Sequence, residues 1–159
     1  MANIESLRQQ SESMDLKPKL LISVVTLGEI EFGHRVQIGD QSTFNDARSK
    51  FVREQLPVTL EVTEDAVNAY GEIRMRLFNK YAPVENRTKK TRPEQLVNPA
   101  TSLHLQIQEN DLWICSQAVA HGMVLVTNDG MSAIRDVAQG MNPPLLIQNW
   151  TKSGTAKVE

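Results

Sequence analysis

The sequence predicts an α/β domain built on a mostly parallel sheet. Compact apolar runs rich in β-branched residues alternate with segments of helical periodicity. The alternation is clearest in the last third, where a helix, a strand, a short helix and a strand follow in turn. The length of 159 residues, 40% of them hydrophobic, suits one ordinary domain. A chain of this size buries enough surface to hold a core without disulfides or structural metal.

The elements follow in order. Ile4, Leu7 and Met14 stand among polar residues as a short amphipathic helix would place them. Leu20-Leu-Ile-Ser-Val-Val25 reads as a buried strand. Thr26 and Glu29 then form a Thr-x-x-Glu capping box, and Leu27, Ile30 and His34 share one helix face. Gly33 inside that helix suggests close packing. A second helix is expected over 42–55, with Phe44, Ala47, Phe51 and Val52 inward. Leu56-Pro-Val-Thr-Leu60 reads as a short edge strand.

Thr63 caps a helix from Glu64 to about Lys80, with Ala66, Val67, Tyr70, Ile73 and Leu77 at helical spacing. The segment 81–99 holds Pro83, Pro93 and Pro99 and reads as a loop insertion, functional or mobile. Glu109 opens a helix with Leu112, Cys115, Ala118 and Val119 on one stripe, and Gly122 ends it. Met123–Thr127 is a buried strand and Asn128-Asp-Gly130 a turn. A short helix runs to about Gln139, and a strand at Leu145–Ile147 follows the Pro143-Pro144 break. The domain is expected over 1–150, with a tail at 151–159.

Charge and cysteine content exclude several classes. Seventeen Lys and Arg against 19 Asp and Glu give −2, which excludes a strongly basic nucleic-acid coat but not an enzyme with a local basic patch. Cys115 is the only cysteine, so no intrachain disulfide forms. No run is long enough to span a bilayer, and the first residues lack the apolar core of a secretory signal. A cytoplasmic setting without membrane contact is expected. There is no Gly-rich phosphate loop, and His34, His104 and His121 lack metal-ligand spacing.

The chemistry is expected at the carboxyl ends of the strands. Glu29 follows the first strand by one helical turn, Asp129 follows the strand ending at Thr127, and Asp111 starts the helix leading into that strand. Three carboxylates on one rim repel unless a cation neutralises them. Oxygen ligands suit Mg²⁺ or Mn²⁺, which acidify bound water for attack on a phosphodiester. Each acid also has a plain structural reading: Glu29 as a capping-box residue, Asp111 as a partner of the helix dipole, Asp129 as a turn former. Arg87, Lys89, Lys90 and Arg92 in the insertion, with Arg74, Arg76 and Lys80 before it, fit contact with RNA phosphates or a solvated face equally.

Several stretches together resemble PIN-domain ribonucleases, especially the VapC-like toxins of bacterial toxin–antitoxin modules. They are Ile22–Gly33, Leu56–Leu60, Ile107–Ile114, His121–Asp129 and the closing Leu-Ile-Gln-Asn-Trp150. The resemblance covers roughly Leu20 to Trp150. It implies a three-layer PIN-like fold and a metal-dependent endoribonuclease with Glu29, Asp111 and Asp129 as metal-binding acids. Thr127 and Asn110 would be polar supports. It also implies a cognate antitoxin as partner and a homodimer.

One departure accompanies it. The family begins with a central strand ending in an Asp-Thr-Asn-like motif, whose aspartate is a metal ligand. This sequence opens instead on residues that look like the helix after such a strand. Two expectations follow: either the natural start lies upstream, or this is a truncated version impaired in metal binding, whose flanking strands lack their shared partner. The alternative is a catalytically inactive PIN-like protein that binds an antitoxin.

Overall fold

The computed structural model describes residues 18–36, 50–52, 54, 56 and 58–150. They fall into two compact units, one running to Glu61 and resuming at Asn149, the other Val62–Gln148. The expected helix at 4–16 and the tail at 151–159 lie outside the described residues.

The first unit contains β1 (Ile22–Ser23), α1 (Val24–Val36) and β2 (Thr59–Leu60). β1 and β2 pair in parallel, Ile22 opposite Thr59 and Ser23 opposite Leu60. Ile22 N–H extends the ladder to Val58 O at 3.1 Å. The strand is shorter than the apolar run predicts, because the helix starts at Val24 rather than after Thr26. Ser23 Oγ accepts the Val25 N–H at 3.0 Å, which is how a serine N-cap satisfies an early helix donor. Thr26 and Glu29 therefore sit inside α1, and the capping box expected of them does not form its start. The face is as expected: Leu27, Ile30 and His34 are half-buried while Glu29, Glu31 and Phe32 are exposed. Among the described residues, nothing lies within 4 Å of a Cβ built at Gly33. Of the helix expected at 42–55, residues 50–52 and 54 are helical, with Val52 buried.

The second unit is organised by α2 (Glu64–Tyr81) and α3 (Glu109–Ala120). Thr63 Oγ1 accepts the Ala66 N–H at 3.3 Å and caps α2, as its sequence position predicts. The buried stripe of α2 is Ala66, Ala69, Ile73 and Leu77. Val67, expected inward, is exposed, and Ala69 takes that place. α3 buries Leu112, Cys115, Ala118 and Val119 as expected, together with Ser116 and Gln117.

α3 ends in a Schellman motif. Met123 N–H bonds Ala118 O at 2.9 Å and Gly122 N–H bonds Val119 O at 3.1 Å, with Gly122 at φ +61°. β3 (Val124–Val126), α4 (Ser132–Ala138) and β4 (Leu146–Gln148) follow. β3 and β4 pair in parallel, Val124 with Leu146 through Val126 with Gln148. Among the described residues β1 pairs only with β2, and β3 only with β4. Each unit thus contributes one two-stranded parallel ladder among the described residues.

The segment 81–99 is not a plain loop. It contains 3₁₀ turns at Val84–Asn86 and Pro93–Gln95 and buries Ala82, Pro93 and Leu96. A bridge between Val97 and His104 closes a small hairpin beyond it. α2 and α4 are tied by Arg76, whose guanidinium donates to Val137 O at 3.1 Å, and by Lys80 and Tyr81, which both donate to Asp136. The Lys80 ammonium first, and the Tyr81 hydroxyl after it, hold the Asp136 carboxyl below its ordinary range. No helix among the described residues is long and apolar enough to cross a membrane.

Candidate active site

Two of the three expected acids meet in the second unit. A cavity of about 240 Å³ is lined by Asp111 and Asp129 together with Gln106, Ile107, Met131 and Ser132. Sequence reasoning missed Gln106, Ile107, Met131 and Ser132, which lie in connections or a short helix start where periodicity carries no signal.

Asp111 occupies the third position of α3, where its Oδ2 accepts the Gln108 N–H at 2.8 Å. This is half of a capping box, and it fixes the carboxylate against the helix start. Asp129 follows β3 in a tight turn. Its N–H donates to Thr127 Oγ1 at 3.0 Å, and its Oδ1 accepts the Met131 N–H at 3.0 Å. Each acid thus does the structural work of its plain reading, and both still line one cavity. Asp129 Oδ2 makes no hydrogen bond among the described residues.

Cys115 feels the charge of both acids. It lies one helical turn beyond Asp111 and is fully buried. Its thiol is raised to about 12, by burial first and then by the charges of Asp111 and Asp129. Its Sγ contacts Met131 Sδ at 3.3 Å, so the turn carrying Asp129 rests on α3.

The start of α3 is held from two sides. Glu109 at its first position accepts from Tyr70 Oη, and Arg74 lies 3.2 Å from the same oxygen. Glu94 Oε1, from the 3₁₀ turn of the 81–99 segment, accepts the Glu109 N–H at 3.1 Å. A carboxylate at a helix N-terminus satisfies an orphan donor and complements the dipole. Sequence reading did not find these supports, because their pairing is set by tertiary contacts.

The other expected residues are placed as follows. Glu29 is exposed on α1, in the first unit. Asn110 is half-buried at the second position of α3, and Thr127 supports Asp129 as described. Arg87 donates to Asn79 O and Ala82 O at 3.1 and 3.2 Å and lies over the Phe78 ring. It closes the end of α2. Lys89, Lys90 and Arg92 are exposed. Arg74, Arg76 and Lys80 are paired with Glu109, Glu72 and Asp136, a structural role beside the two readings their sequence positions left open.

A divalent cation fits the residues present. Mg²⁺ is commonly held by one or two carboxylates with water completing its shell. Two carboxylates lining a cavity of about 240 Å³, with Asp129 Oδ2 uncommitted among the described residues, meet that requirement. Among the described residues, no group of three or more His, Cys, Asp or Glu is placed to hold a metal.

No family model matches the sequence, and no curated protein does. Solved structures do. A chain of VapBC2 from Rickettsia felis, crystallised with a DNA fragment from its promoter, is 21% identical with a TM-score of 0.59, covering 92% of this chain and 83% of that one. A chain of VapBC-1 from nontypeable Haemophilus influenzae is 19% identical with a TM-score of 0.59, covering 93% and 87%. A chain of DNA-bound VapBC from Salmonella typhimurium is 21% identical with a TM-score of 0.57, covering 92% and 85%. With its parallel strands, flanking helices and nearly full-length correspondence to these chains, the protein has a VapC-like PIN fold.

Proposed function

We propose that the chain is a metal-dependent endoribonuclease and the toxin of a toxin–antitoxin module. The observation that carries this reading is the meeting of Asp111 and Asp129 on one cavity, each fixed by a backbone hydrogen bond. The likeness to VapBC chains supports it and favours an antitoxin protein as partner. Asp111 and Asp129 are the acids that would hold Mg²⁺ or Mn²⁺. A cation held there would supply positive charge beside a phosphodiester and lower the pKa of a bound water. Asn110 and Thr127 support the acids, and Lys89, Lys90 and Arg92 are the exposed cations suited to RNA phosphates. The chain acts in the cytoplasm as a homodimer.

A second reading is an inactive PIN-like protein that binds an antitoxin. The lack of a three-ligand group among the described residues favours it. One experiment separates the two. The purified chain is incubated with a labelled single-stranded RNA in Mg²⁺ or Mn²⁺, with and without chelator. Cleavage that the chelator stops, and that Asp129→Asn abolishes, supports the nuclease. An intact RNA in every lane, with a small partner protein co-purifying from the native host, supports the binding protein instead.

A further inference from the structure

Three non-glycine residues among those described have positive φ: Ser102 at 58°, Gln106 at 58° and Met131 at 42°. Two of them, Gln106 and Met131, line the cavity that holds Asp111 and Asp129. A left-handed backbone is unfavourable for a side chain with a Cβ, and such strain gathers at functional sites.

The strain at Gln106 is imposed by its neighbours. Leu105 N–H is bonded to Leu96 O at 3.0 Å, and Ile107, only 5% exposed, is buried in the core. The chain must turn between these two anchors before α3 begins. Glycine meets such a demand at least cost. The side chain at this position therefore needs a reason.

Packing supplies a reason for Met131 but not for Gln106. Met131 Sδ rests on Cys115 Sγ, whereas Ser102 lies at the hairpin turn with its N–H on Asn98 O. Gln106 is exposed, and its amide makes no hydrogen bond among the described residues. It stands at the cavity with one donor and one acceptor group uncommitted. An amide is neutral, so it adds no charge beside two carboxylates. It can donate to and accept from the edge of a base, as glutamine does in nucleic-acid readout.

We infer that Gln106 is a specificity-determining residue, which contacts a base of the single-stranded RNA lying across the cavity. This rests on the ribonuclease reading above and deepens it. Gln106 chooses where the strand is cut, and the acids do the cutting.

The test compares wild type, Gln106→Gly and Gln106→Asn. Glycine relieves the backbone strain, so the melting temperature without RNA should rise by about 2–4 °C. The same variant should lose at least about tenfold in kcat/KM at the preferred cut, or spread its cleavage over other positions. Its anisotropy-measured affinity for the RNA oligonucleotide should fall with it. Gln106→Asn keeps an amide and tolerates the backbone, so it should recover part of the preference. A structural role would not give a more stable protein with altered site choice. If Gln106→Gly is more stable yet cuts and binds like wild type, Gln106 does not read the RNA and this inference falls alone. If Gln106→Gly is less stable, the strain argument falls. If wild type neither binds nor cuts RNA, the ribonuclease reading falls and takes this one with it.

Discussion

Tyr70 and Trp113 stack face to face, with ring centroids 4.0 Å apart and planes 10° from parallel. The pair joins α2 to α3 two residues beyond Asp111, and the Tyr70 hydroxyl reaches on to Glu109 and Arg74. Burial first, then the Glu109 hydrogen bond, pushes the Tyr70 phenol up to about 12. Aromatic stacking and the polar tip therefore act on the same joint, the start of the helix that presents the acid.

Substitution separates the two contributions. Tyr70→Phe keeps the stack and loses the hydroxyl, which should cost about 1 kcal/mol. Tyr70→Ala removes both and should cost about 1 kcal/mol more from the stack alone. Urea unfolding of the three proteins measures the difference. Equal stability of Tyr70→Phe and wild type would show that the hydroxyl network does not hold α3.

Gly122 makes a sharper test of local structure. Its φ of +61° is required by the turn from α3 into β3, and a Cβ there would meet only Pro143 Cγ at 3.9 Å, an ordinary contact. Gly122→Ala should therefore destabilise through the backbone alone, by about 1–2 kcal/mol. A neutral substitution by thermal or urea unfolding would remove the Schellman motif from the account.

Alkaline pH should weaken the fold through Cys115. Its thiol is raised from 9.0 to about 12 in the folded chain, by burial and then by Asp111 and Asp129. Between those values the unfolded chain has lost a proton that the folded chain retains. Stability is unaffected below about pH 9 and falls as pH rises above it, by about 1.4 kcal/mol per unit. Tyr70 adds to the fall above its ordinary pKa near 10. Unfolding of wild type and Cys115→Ala from pH 8 to 10 checks this, and the variant should show the flatter profile.

The edge of β3 gives a prediction at single amides. Thr127 N–H bonds Gln148 O at 3.0 Å, so alternation turns the Leu125 amide toward β4 and those of Val124 and Val126 away from it. Hydrogen exchange should be faster at Val124 and Val126 than at Leu125 and Thr127. Uniform protection along the strand would mean that a further strand covers that edge.

The elements of the second unit were legible because their signals are local. Thr63 before an acidic first turn, the Leu112–Cys115–Val119 stripe and Gly122 after it each act within a few residues. At Val24 the same logic misled: an apolar β-branched run reads as strand, but the Ser23 hydroxyl caps a helix inside it. The site was half legible. Asp111 and Asp129 follow from their place beside the β3 strand and its preceding helix. Gln106, Glu94 and the Tyr70–Glu109 link do not, because a left-handed turn and contacts distant in sequence leave no periodic trace. Sequence leaves Arg74, Arg76 and Arg87 open between RNA contact and a solvated face, and the fold shows Glu109 against Arg74, Val137 O against Arg76 and Asn79 O against Arg87.

The central claim is that Asp111 and Asp129 form one cation site, and calorimetric titration with Mn²⁺ tests it most directly. Asparagine retains the oxygen that accepts the Gln108 or Met131 N–H, so Asp111→Asn and Asp129→Asn remove charge while keeping the cap and the turn. Wild type should bind Mn²⁺ at one site, and each variant should lose that binding while keeping its helical circular dichroism spectrum. A wild type that binds no Mn²⁺, or one whose binding survives both substitutions, would contradict the account.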